Sequence, residues 1–224
     1  MIHYHCSDIN PHTKLVDLSG RHLLVSHAYP RAVAISHEIA QTVLLDNGAF
    51  SVWRSGKKAD WAAFYNWTDV WLDSPTTWAI IPDVIDAGEA AQDELIKQWP
   101  HGKRGSPVWH MDEPIDRLLR LTDEWPRVCV GSAGEWPNVG TDSWHQRMTT
   151  VFNQLAKRGR LPWIHGLRMQ GVGHLYPYGS VDSADIARNN NRPQNSISKM
   201  VNRWDSIQPK FTWEQHPTQQ ELMP

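Results

Sequence analysis

The chain has 224 residues, 40% of them hydrophobic and 21% charged, with a formal net charge of -2. This length and balance describe one sizeable globular domain or two small ones, able to bury a core, and they exclude a protein that coats nucleic acid by bulk attraction. Two cysteines, Cys6 and Cys129, without Cys-x-x-Cys spacing, exclude a disulfide framework and a thiolate zinc site and make a reducing cytoplasm the expected location.

No apolar stretch nears the roughly 20 residues of a membrane span, and the start Met-Ile-His-Tyr-His-Cys lacks the regions of a signal peptide. A soluble chain with no membrane partner is expected. Thirteen Trp against four Phe supply flat rings, chiefly for the core and secondarily for stacking on bases or sugars.

In chain order, Ile2 to Ser7 reads as a short strand and His22 to Tyr29 as a better one, followed by helical signal from Arg31 to Gln41. Val43 to Asp46 is a buried strand that stops at a carboxylate, and Asp46-Asn47-Gly48 is turn chemistry that leaves Phe50 beside the strand mouth. Residues 60–72 have helical spacing. Trp78 to Asp86 is another apolar run ending in acid, with a helix from Ala87 to Trp99 stopped by Pro100. The unit repeats at Pro107 to Asp112 with a helix over Ile115 to Glu124, and again at Arg127 to Glu135 with a helix over Trp144 to Arg158. Trp163 to Met169 and Gly179 to Ser183 are the last strand candidates.

Unbroken apolar strands alternating with helices mean parallel βα units, and seven or eight in one domain predict an α/β fold, a single TIM-like (β/α)8 barrel, full or abbreviated, over residues 1–208. A doubly wound sheet is the alternative. Residues 209–224, rich in Pro, Gln and Thr, read as an irregular C-terminal tail.

Chemistry in a parallel barrel sits at the carboxyl ends of its strands, where the sequence puts Asp46, Asp83, Asp112, Glu135 and Asp182. Acids flanking a bound sugar suit glycosyl chemistry: one attacks the anomeric carbon while another moves the proton of the leaving group. For Asp112 and Asp86, capping of the following helix competes with that role on even terms.

Asp46-Asn47-Gly48-Ala49-Phe50 resembles the Asp-Ser-Gly-Gly-Tyr/Phe motif of tRNA-guanine transglycosylases, and Val130 to Glu135 is similar to their Gly-Gly-Leu-Ala-x-Gly-Glu loop. Ser180-Val181-Asp182-Ser183 resembles the strand carrying the family's nucleophile, most closely the Val-Asp-Ser of the phage and bacterial DpdA-type enzymes that place 7-deazaguanines into DNA. The resemblance implies Asp182 as nucleophile on C1′ and Asp46 as general acid and base. It implies that Asp83 reads the base edge, Phe50 stacks on the purine, Gly131, Ser132 and Ala133 contact its carbonyl, and Met169 closes the other face. The implied partners are DNA and a 7-deazaguanine such as preQ0, with no cofactor. The Cys-rich zinc site of the tRNA enzymes has no counterpart, Ala184 to Arg188 replaces their Leu-Pro-Thr-Arg loop, and Ser51 stands where they carry Gln. These departures fit a shortened enzyme acting on a polymer other than tRNA, in the cytoplasm of a host cell if phage-encoded.

Polymer binding requires local positive charge, and the cluster that follows Asp182, with Arg188, Arg192, Lys199 and Arg203 among Asn189, Asn190 and Asn191, is the leading candidate. Arg54 with Lys57 and Lys58, Lys103 with Arg104, and Lys157 with Arg158 and Arg160 are others. Two rival readings are carried forward. His3 and His5, with His110, His165 and Asp182, are residue types that bind zinc in barrel amidohydrolases. A barrel that binds nucleic acid or nucleoside without catalysis is the other.

Overall fold

The computed structural model describes residues 1–210, 212 and 213. Nine parallel strands form one sheet that curls into a nearly closed barrel: β1 (Ile2–Cys6), β2 (His22–Ser26), β3 (Thr42–Asp46), β4 (Thr77–Ile80), β5 (Gly105–Ser106), β6 (Val108–His110), β7 (Arg127–Gly131), β8 (Trp163–Gly166) and β9 (Ser180–Ser183). Their order around the sheet is β5-β4-β3-β2-β1-β9-β8-β7-β6. The two end strands are consecutive in sequence and separated only by Pro107. Lacking an N–H, Pro107 interrupts the ladder, so β5 pairs with β4 while β6 pairs with β7. Taken together, β5 and β6 make one stave, and eight staves close a TIM-like barrel.

The helices are α1 (Val33–Ile39), α2 (Ala49–Ser55), α3 (Trp61–Trp71), α4 (Glu89–Gln98), α5 (Ile115–Glu124), α6 (Asp142–Ala156), α7 (Asp185–Asn189) and α8 (Ile197–Asp205). The longest, α6, shows why they dock. Thr141 Oγ1 caps its start by accepting from the Trp144 N–H at 3.4 Å, and Trp144, Met148, Val151, Phe152 and Leu155 fall on one buried stripe. A fully buried side chain such as Phe152 contributes about 2–3 kcal/mol relative to exposure.

Strand parity separates two cores. Val25, Val43, Leu45, Ala79, Val128, Val130 and Ile164 face outward under the helices, whereas Tyr4, Leu24, Leu44, Trp78, Ile80, Val108 and Cys129 fill the barrel interior. The base of that interior is tied by polar bonds: Trp78 Nε1 donates to Tyr4 Oη at 2.8 Å, and Tyr4 Oη meets Thr42 Oγ1 at 3.0 Å. The lower interior of the barrel is therefore filled by side chains, and a cavity lies at the other end.

The strands lie where the apolar runs predict, but several end earlier, β4 at Ile80 and β8 at Gly166, and the residues beyond belong to the loops of the mouth. Residues 209, 210, 212 and 213 have no regular structure, and Trp213 packs beside Phe152 and Tyr176. The remainder of the predicted tail, residues 211 and 214–224, lies outside the described residues. No helix among the described residues is long and apolar enough to cross a membrane.

Candidate active site

The same parity that puts Leu44, Val108 and Ser180 inside puts Asp46, His110 and Asp182, two residues further on, inside at the carboxyl ends of β3, β6 and β9. They line a cavity of about 620 Å³ at the barrel mouth, together with Asp8, Asp83, Phe50, Gly131, Ser132, Arg54, Arg168 and Arg188. Such a volume accommodates a small ligand the size of a nucleoside.

Asp46 sits at the floor. Burial raises its carboxyl from 3.8 to about 6; the Ser26 hydroxyl and the Gly48 N–H favour the anion, while the charges of Asp182 and Asp83 oppose it. A carboxyl poised there exchanges protons readily at neutral pH. The turn that follows is tightly determined. Gly48 adopts φ 77°, and a Cβ on it would lie 3.2 Å from the Ala28 nitrogen. Asn47 Oδ1 accepts from the Ala49 N–H at 2.8 Å, which starts α2 and delivers Phe50 to the cavity.

Asn47 also brackets the next acid. Its Nδ2 donates to the Ile81 carbonyl and to Asp83 Oδ1, both at 2.8 Å. Asp83 Oδ2 meets His110 Nε2 at 3.0 Å. Behind His110, Glu113 Oε1 lies 3.7 Å from Nδ1, and Glu113 Oε2 accepts from Arg117 at 2.6 Å. Burial works against the His110 cation, but hydrogen bonds and charge from Asp83 and Glu113 outweigh it and raise the imidazole from 6.5 to about 9. His110 is thus an imidazolium at neutral pH, and Asp83 is fixed from two sides.

Asp182 is buried on the opposite wall. Its Oδ1 accepts from the Arg168 N–H at 2.8 Å, and Oδ2 has no hydrogen-bond partner among the described residues. His165 Nε2 lies 3.3 Å from Oδ1 without making a hydrogen bond, its other nitrogen being bonded to Ser180 Oγ at 2.9 Å. Arg168 reaches the Asp182 carboxylate through a left-handed backbone, φ 58°, a conformation that costs about 1 kcal/mol or more outside glycine. Its guanidinium lies 3.8 Å from the Phe50 ring centroid, so a cation and an aromatic face each other across the mouth. Cys6 also lines the cavity, but burial pushes its thiol up to about 12, which leaves no thiolate to act as a nucleophile at neutral pH.

The structure thus brings together Asp46, Asp83, Asp182, Phe50, Gly131, Ser132 and Arg188, and sets other expected residues apart. Met169 is fully buried in the outer core, where its sulfur accepts from Tyr178 Oη at 3.1 Å, because the loop after β8 turns the preceding side chain, Arg168, into the mouth instead. Ala133 is buried off the cavity. Asp112 and Glu135 are exposed outside it, Asp112 lying over Gly134, whose missing side chain makes the room. Arg192 is exposed beyond α7, and Lys199 and Arg203 belong to α8 outside the cavity, with Arg203 bonded to Asp185 at 3.1 Å.

The metal reading is also corrected. His3 and His5 face outward from β1 toward α8: His3 Nε2 meets the Ile207 carbonyl at 2.8 Å, and His5 Nε2 pairs with Asp205 at 2.9 Å. Parity on β1 makes Tyr4 the inward residue, so the pair cannot join His110, His165 and Asp182. No cluster of three or more metal-ligating side chains occurs among the described residues.

Asn47, His110 and Arg168 are the site residues that pattern reading under-valued. His110 carried a visible signal, since it ends a strand at the same parity as Asp46 and Asp182. Asn47 looked like a turn residue, and nothing in the local sequence marks Arg168. Comparison of the chain with family models, curated proteins and solved structures found no match.

Proposed function

We propose that this barrel is a base-exchange transglycosylase that replaces guanine in DNA by a 7-deazaguanine. The observation that carries the reading is the convergence of two dissimilar acids on one cavity: Asp182, with Oδ2 free, and Asp46, with its proton affinity raised to about 6. Two carboxyl groups in environments that separate their duties are what glycosyl transfer requires.

In this mechanism Asp182 Oδ2 attacks C1′ of the target nucleotide as the C1′–N9 bond breaks, and Asp46 gives its proton to the departing guanine. The incoming deazaguanine then attacks C1′, loses its proton to Asp46 and releases the Asp182 ester. The Arg168 N–H holds Asp182 in line. Asp83, braced by Asn47 and His110, offers its remaining lone pairs to N–H groups on the base edge, and the Gly131–Ser132 segment flanks that edge. The cation–aromatic pair of Arg168 and Phe50 frames a slot for a planar ring. Met169 and Ala133 take no part in base contact.

The test is release of radiolabelled guanine from DNA, with tRNA as control, on addition of preQ0 to wild type, Asp182→Ala and Asp46→Ala. Loss of exchange on DNA in both variants, each still folded, is the expected result. Absence of exchange on either polymer by the folded wild type, whichever deazapurine is supplied, defeats the reading.

A further inference from the structure

Tyr29 and Trp53, two of the large apolar side chains exposed among the described residues, stand on the rim of this cavity and present 55% and 50% of their surface to solvent. Tyr29 lines the cavity directly. Trp53 lies on α2, whose Phe50, Ser51, Arg54 and Ser55 also line it. The indole is fixed in place: Nε1 donates to Asp86 Oδ2 at 2.9 Å, and its ring lies 5.8 Å from Phe50 between centroids. Asp86 reaches it from a left-handed backbone, φ 65°, in the loop after β4 whose Asp83 and Ile85 line the cavity. An indole with its polar atom satisfied and its face in water is a surface held ready for a flat partner.

The same rim carries unpaired charge. Arg54, Arg168 and Arg188 line the cavity, and none has a carboxylate within ion-pair distance among the described residues. By contrast Arg21, Arg117, Arg120, Arg158 and Arg203 all hold one. Arg31, Arg104, Arg127, Arg147, Arg160 and Arg192 also lack a carboxylate partner among the described residues but do not line the cavity; three such guanidinium groups gathered on one cavity, on a chain of net charge -2, favour a phosphate ligand there.

We propose that the rim is a platform for single-stranded DNA, on which Trp53 and Tyr29 stack the unpaired bases that flank the target nucleotide while Arg54 and Arg188 hold the neighbouring phosphates. The identity of the strand rests on the guanine-exchange reading; the platform itself rests on the rim geometry. A free nucleoside fits inside the cavity and has no use for these outer groups. A paired duplex hides the base faces that the rings require.

The experiment is fluorescence anisotropy of a labelled oligodeoxynucleotide of about 12 nucleotides, a length in the range of single-strand binding sites. An Asp182→Ala background removes covalent capture. The strand is expected to bind at least tenfold tighter than the blunt duplex of the same sequence. Adding Trp53→Ala weakens it about tenfold with little change in salt dependence, and Trp53→Phe restores most of the loss. Arg54→Ala with Arg188→Ala instead lowers the slope of log Kd against log salt by about 1 to 2. Equal binding of duplex, equal binding of an abasic strand, or an unchanged Kd in a Trp53→Ala protein with wild-type circular dichroism overturns the platform. The two readings fail separately: binding with these signatures but no guanine release by wild type removes only the exchange reaction, and guanine release with Trp53-independent binding removes only the platform.

Discussion

Asp46 and His110 both hold a proton more tightly in the folded chain than in the unfolded one, for opposite reasons: burial resists charge on the first, and two carboxylates sustain charge on the second. For Asp46, a folded value of about 6 against 3.8 makes its contribution fully present below pH 3.8 and lost as pH rises through 6. Asp46→Asn, which carries no charge, is therefore expected to gain stability over wild type between pH 4 and pH 7, by about 2 kcal/mol after allowance for the carboxyl's partial exposure. Urea titrations at both pH values measure it. On the guanine-exchange reading, single-turnover guanine release by wild type is expected to fall as pH rises through 6, and Asp46→Asn is expected to abolish it. For His110, a folded value of about 9 against 6.5 makes the contribution present below pH 6.5 and lost as pH rises through 9, on the order of 3 kcal/mol. His110→Phe takes the imidazolium away from Asp83 Oδ2 and Glu113 Oε1, leaving Asp83 to Asn47 and Glu113 to Arg117, so the protein is destabilised by about 3 kcal/mol at pH 7 and its stability no longer declines over that window. Asp46 was legible because a carboxylate ending an apolar strand before a glycine turn is a sequence pattern. Of the groups that tune the two, Ser26, Asp83 and Asp182 come from other staves and are not legible in this way.

At the level of elements, the decisive one is α2, a two-turn helix over residues to which pattern reading assigned no element. It is too short for periodicity to reveal, and its start is set by Asn47 and Gly48 rather than by an apolar stripe. Asn47→Ala removes the start of α2 and one brace of Asp83 together, with three hydrogen bonds involved, and is expected to cost about 2–3 kcal/mol. Gly48→Ala forces a Cβ toward the Ala28 nitrogen from a left-handed backbone and is expected to cost about 1–2 kcal/mol. Thermal melts rank the two, and on the proposed exchange reading the activity of Asn47→Ala should fall further than its stability alone explains, because Phe50 and Asp83 both lose their anchor. The longer helices were legible: α5 occupies the residues its spacing predicts, and α6 differs by two residues at each end.

At the scale of the whole molecule, alternating apolar runs and helical stripes were enough to anticipate an eight-stave barrel, since buried parallel strands leave few other arrangements. What they did not reveal was its point of closure. Gly105 lies there with Trp99 Nε1 2.3 Å and Ile81 Cγ1 2.6 Å from where a Cβ would stand, so Gly105→Ala must push the rigid indole away. A loss of about 3 kcal/mol or failure to fold is expected, readable as a lowered melting temperature. Which side chains meet at the mouth was equally hidden, because it depends on how far around the ring each stave sits. Closure also has a consequence for motion. Above Ser106 the backbone ladder to β4 stops at Pro107, and the next link between the two staves is the bond from His110 to Asp83. That bond is the clasp of the ring, and it is fastened by a proton. Transient opening of the barrel should therefore begin at this junction: in His110→Phe the Ile81 and Cys129 amides, which donate to Ser106 and Pro107, exchange with deuterium sooner than in wild type, while the amides between β1 and β2 keep their protection.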